Sequence, residues 1–187
     1  MKKKSLALVL ALAMIVVCVV GGTLAWLIDK TGPVTNTFTT SDVDITLTET
    51  TTNYQMIPGY TITKDPKVTV LAGSEKCYLF VKVDKSANFD TFMTCTIATG
   101  WTQGDGTDIP SNVYYREVET STDNQEFAVL KNDQVTVRGD VTKTMLNGLT
   151  EATQPTLTFT AYACQYNSSN GTSFTAADAW AKVNPTT

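Results

Sequence analysis

The groups able to do chemistry in this chain are mostly carboxylates. Asp42 and Asp44 flank Val43, so on an extended strand both acids project to one face. Acids paired this way can hold Ca²⁺ or share acid–base work. No further ligand cluster lies near them in sequence, and a solvated strand face accounts for them. Asp105-Gly106-Thr107-Asp108 is a second acidic segment. It lacks the D-x-D-x-D-G register and closing Glu of a Ca²⁺ loop, so it reads as a turn.

The 187 residues include no histidine. A Ser-His-Asp triad, a Cys-His pair, an HExxH zinc site and a three-histidine metal centre are therefore excluded. No glycine-rich phosphate loop is present. We assign no catalytic residue, metal ligand or cofactor, and expect a protein that is not an enzyme. Cys77, Cys95 and Cys164, 18 and 69 positions apart, do not have zinc-ribbon spacing. They read as small apolar strand residues, with one bridge as the alternative. Trp101 and Trp180 read as core or rim aromatics. Asn167 and Asn170 each head a glycosylation sequon.

The chain opens as an export signal. Three lysines follow Met1, Ser5 to Val20 is almost wholly apolar, and Thr23-Leu24-Ala25 places short residues where a signal peptidase reads. Cleavage after Ala25 would leave Trp26 first. The alternative is a retained anchor, because no charge interrupts the 24 residues from Ser5 to Ile28. Either way the body lies outside the membrane, and the uncleaved signal is its only tie to the bilayer. Lys+Arg number 14 and Asp+Glu 18; the first 25 residues hold three Lys and no acid, leaving 11 − 18 = −7. Such a body lacks the phosphate-neutralising patch that nucleic acid requires.

The elements that would position these residues are strands. Threonine makes up 34 residues, and β-branched side chains favour sheets. Val43, Ile45 and Leu47 alternate with polar residues. Pro58-Gly59 and Ala72-Gly73-Ser74 are turns, and Pro66 interrupts the strand between them. Cys77, Leu79, Val81 and Val83 share one face, with Tyr78, Phe80 and Lys82 on the other, as in a central strand. Further strands cover Met93–Ile97, Val113–Val118, Phe127–Leu130, Val135–Val137 and Thr156–Gln165, with a turn at Asn132-Asp133. Thr142 is placed to cap a short helix over 143–149, and Ser173 or Thr175 one over 176–183 with Trp180 and Val183 inward. The sum is all-β, a jelly-roll-like β-sandwich of roughly eight to ten short strands with one or two short peripheral helices, preceded by a signal-peptide helix. The domains are 1–25 (signal), 26–37 (an N-terminal arm broken by Gly32-Pro33) and 38–187 (the sandwich).

The signal junction Gly21-Gly22-Thr23-Leu24-Ala25-Trp26-Leu27-Ile28-Asp29-Lys30 resembles that of the TasA-like and camelysin-like exported matrix proteins of Gram-positive bacteria. Asn36-Thr37-Phe38-Thr39, Val43 to Leu47 and Pro58-Gly59-Tyr60-Thr61-Ile62-Thr63-Lys64-Asp65 continue the likeness. Tyr60 stands where that family carries Asp. The resemblance is specific over residues 1–70 and looser beyond. It implies a SipW-type signal peptidase acting at Thr23, Ala25 and Trp26. It also implies secretion into a biofilm matrix or onto the cell surface, and self-association into fibres. The arm of one subunit would add a strand to the next, with Trp26, Leu27, Ile28 and Val34 filling a groove. A twelve-residue arm reaches roughly 40 Å when extended. Some relatives are described as surface metalloproteases, for which this histidine-free chain offers no site. The alternative is a monomeric secreted or surface-held binding module using loops 103–112 and 119–126.

Overall fold

The computed structural model of the protein describes residues 43–50 and 55–184. They form ten strands: β1 (Ile45–Thr48), β2 (Thr61–Thr63), β3 (Lys67–Val70), β4 (Cys77–Lys85), β5 (Met93–Ile97), β6 (Thr102–Gln103), β7 (Val113–Val118), β8 (Gln125–Ala128), β9 (Leu130–Val137) and β10 (Leu157–Gln165). Three short helices accompany them, α1 (Phe89–Phe92), α2 (Lys143–Asn147) and α3 (Ala176–Val183), with a 3₁₀ turn at Glu151–Thr153. The chain is all-β in class. Helices exceed the one or two expected because α1, only four residues long, carries no side-chain cap to mark it in sequence.

β4 is central, as its two apolar faces require. It pairs antiparallel with β10 along its whole length and with β7 on the other side, giving the sheet order β10-β4-β7-β6. Cys77, Leu79, Val81 and Val83 pack toward a second layer. Tyr78 and Phe80 pack on the opposite face beneath α3, where Trp180 is 4% exposed. The Phe80 and Trp180 ring centroids lie 5.3 Å apart. Thr175 caps α3 by accepting from the Asp178 amide, and Asp178 answers with a bond to the Thr175 amide.

The second layer comprises two three-stranded sheets, β1-β3-β8 and β2-β9-β5. Pro66 explains the division. It has no N–H to extend a ladder, so β2 and β3 separate around it. The Val129 amide donates to the Pro66 carbonyl at 3.0 Å, and at Val129 β8 gives way to β9. Both residues are fully buried. Asn132 and Asp133 do not end a strand as the sequence suggested. Their φ values are 57° and 53°, and β9 runs through them as a bulge. Cys95 pairs with Val135, whereas Ile97 pairs with Leu130. Short polar side chains tolerate that left-handed backbone without breaking the strand. The Asp133 Oδ1 atom is buried without a hydrogen-bond partner.

The sandwich has two distinguishable ends. At one, Asp44 meets the turn after β3: the Leu71 amide donates to the Asp44 carbonyl and the Asp44 amide to Ser74 Oγ. The first described residues therefore lie at this end. At the other, the last residue of β1 pairs with Lys67, and Glu49 forms an ion pair with Lys64.

Candidate functional site

β10 is the longest edge strand among the described residues. Its nine residues pair with β4 on one side, and no described strand pairs the other. Its sequence, LTFTAYACQ, contains no charge and no proline. Protected edges normally carry a lysine, a proline or a bulge. Each remaining edge strand (β1, β2, β5, β6, β8) has five residues or fewer.

An open groove of about 770 Å³ lies at the start of β10. One wall is Gln154 to Thr158, and the other is Leu146 in α2 and Leu149 just after it. Met93, Val135 and Phe89 line it below, with Met56 and Ile57 at the side. The groove exists because two elements share the apolar face of the β2-β9-β5 sheet. Leu157 and Phe159 cover one part, near Leu130 and Val135. Met145, Leu146 and Leu149 cover another, near Ile62 and Val137. Lys64 lines the same space. It is 9% exposed, its amide donates to the Asp133 carbonyl, and its ammonium pairs with Glu49 and lies 5.6 Å from the Phe159 ring centroid. Beside the groove, Pro58-Gly59 makes the expected turn, closed by Tyr60 N–H to Ile57 C=O at 3.0 Å with Gly59 at φ +75°. That turn leaves Ile57 and Tyr60 more than half exposed.

Thr23, Ala25, Trp26, Leu27, Ile28 and Val34 lie outside the described residues, as does Asp42. Asp44 is exposed and acts through its backbone. Asp105 folds its own loop: its Oδ1 accepts from the amides of Thr107, Asp108 and Ile109, which hold its carboxyl below the usual range. Among the described residues, no three Cys, Asp or Glu side chains are grouped to hold a metal ion. No described helix is long and apolar enough to cross a membrane. Cys77, Cys95 and Cys164 are all free thiols. Trp101 donates its indole N–H to the Ala128 carbonyl at 2.9 Å.

The groove is not readable from sequence because its walls come from six separate segments. The β10 edge was partly readable, since a clean nine-residue alternation without charge or proline is visible in the sequence itself. No family model, curated protein or solved structure matches the chain.

Proposed function

We propose that this protein is an exported structural subunit of jelly-roll type that joins copies head to tail into fibres. The arm, residues 26–37, adds as a strand beside the start of β10 of the next copy, and its apolar residues enter the groove there. One observation carries the reading. The first described residues lie beside Leu71 and Ser74, through Asp44, whereas the groove opens at the far end, beside Lys64 and Thr156. A joint in which a segment reaching out from one end of a subunit fills a groove at the opposite end of the next would be heterologous and propagate as an open filament. The uncharged β10 edge supports it, since an unpaired row of N–H and C=O groups templates strand addition. The resemblance of residues 1–70 to matrix-fibre proteins points the same way. While the signal stays attached, the arm is held at the membrane, so signal removal licenses assembly.

Electron microscopy of protein beginning at Trp26, against protein beginning at Thr35, tests this. Filaments should form only from the first. Equal filament formation by both would remove the arm as the joint.

A further inference from the structure

Arg116 is an arginine on the wrong face of its strand. In β7 it alternates with Tyr114 and Val118, both of which pack into the sandwich, and it stands opposite Leu79. Its guanidinium carbon lies 4.0 Å from the Phe127 ring centroid and 5.5 Å from that of Trp101. Two aromatic faces thus hold the cation by cation–π attraction. Polar partners are missing. Among the described residues the Arg116 side chain makes no hydrogen bond and no ion pair, and its Nε is buried without a partner. The neighbouring acids are committed elsewhere: Glu117 faces the other side of the sheet with Lys76, and Glu126 reaches Lys67. The two terminal nitrogens, unlike Nε, are not buried. They face Gly100, where an added Cβ would come within 3.4 Å of both.

We propose that Arg116 is a carboxylate-binding site at the β6–β7–β8 corner of the sandwich. Arg116 is half-buried, and with no acid beside it the open terminal donors are left for water or for a guest anion. The terminal guanidinium nitrogens form a planar fork that matches the two oxygens of a carboxylate. Trp101 and Phe127 hold that fork in place, so little side-chain freedom is lost on binding. Desolvation lowers the Arg116 pKa below the ordinary arginine value, which marks the same unmet demand for negative charge. The inference is independent of how copies join.

The test uses ¹⁵N-labelled protein and sodium acetate, titrated at constant ionic strength against chloride. The Arg116 Nε–H signal is assigned by its disappearance in Arg116→Lys. It should shift with saturation at ~millimolar acetate. Trp101 fluorescence should respond over the same range, and Arg116→Lys, which keeps charge but loses the fork, should weaken that response about tenfold or more. A linear or absent shift overturns the proposal, as does an equal fluorescence response in Arg116→Lys. Inorganic phosphate run in parallel should bind more weakly; tighter phosphate binding would overturn the assignment to carboxylates. The native Nε–H titration decides the matter even if a variant fails to fold.

Discussion

Cys77 and Cys164 lie on adjacent strands one position out of register, and their side chains face opposite sides of the sheet. Gln165 is the residue opposite Cys77, while Cys164 stands opposite Tyr78. Cys77 belongs to the core between the layers, and Cys164 to the cluster under α3. A disulfide between them would have to pass through the sheet. Burial pushes the Cys77 thiol up to about 11 and also raises Cys95 and Cys164. Reaction of the folded protein with a thiol reagent at about pH 8 should leave Cys77 unmodified. Denaturant should expose it. Rapid labelling of Cys77 in the folded state would contradict the packing.

The same thiol sets an alkaline limit. Its folded pKa lies above its ordinary value of 9.0, so its contribution is complete below about pH 9 and is lost as pH rises through about 11. Tyr78, pushed up to about 12 by burial and then by the Glu117 carboxylate, acts in the same direction from its ordinary 10.0 upward. Urea unfolding measured across this range should show stability falling. Cys77→Ala should remove the earlier part of the fall. An unchanged profile in that variant would show that Cys77 does not contribute.

Trp180 anchors α3 to the sheet. It packs tilted at 51° against Phe80 and meets Tyr162 edge-on, with ring planes at 90° and centroids 5.4 Å apart. Trp180→Ala should cost about 3–5 kcal/mol. Thr175→Ala, which removes only the cap, should cost about 1 kcal/mol. Denaturant curves that ranked the two the other way would place the anchor at the cap.

Gly104 is required by close approach. A Cβ there would lie 2.4 Å from the Pro110 carbonyl oxygen and 2.5 Å from that of Ile109. Both are backbone atoms within a loop pinned by Asp105, so neither yields easily. Gly104→Ala should cost more than about 2 kcal/mol. Thermal unfolding close to that of the parent would show that the loop can open there.

The proposed joint makes separate predictions for its two halves. Thr158→Lys puts a charge on an exposed position of the β10 edge and should block filaments while changing subunit stability by less than ~0.5 kcal/mol. Leu149→Asp should block them from the groove wall. Filaments from either variant with parental yield, seen by microscopy, would move the joint elsewhere.

Strand positions were legible wherever one apolar face alternated with a polar one. Cys77 to Val83, Val113 to Val118 and Thr156 to Gln165 read directly as β4, β7 and β10. The Thr142 cap also read correctly, and of the two candidates Ser173 and Thr175 it is Thr175 that caps α3, each cap sitting before a short run of helix formers. The β9 bulge did not, since Asn132-Asp133 has the same local chemistry in a turn as in a bulge, and only cross-strand pairing separates them. Arg116 was visible as a charge on the apolar side of β7, a breach of the alternation that strand-by-strand reading passes over. The groove depends on which element covers which half of a sheet, and that is settled by contacts distant in sequence.

β1 runs from the end where the described residues begin toward Lys64, with four residues in register against β3. A pull applied at Val43 is therefore directed along the strand axis, and the β1–β3 rungs resist it in shear, all at once. Hairpins drawn apart from one tip fail rung by rung at lower force. In a filament strung through these ends, tension would meet the domain in its mechanically stiff direction.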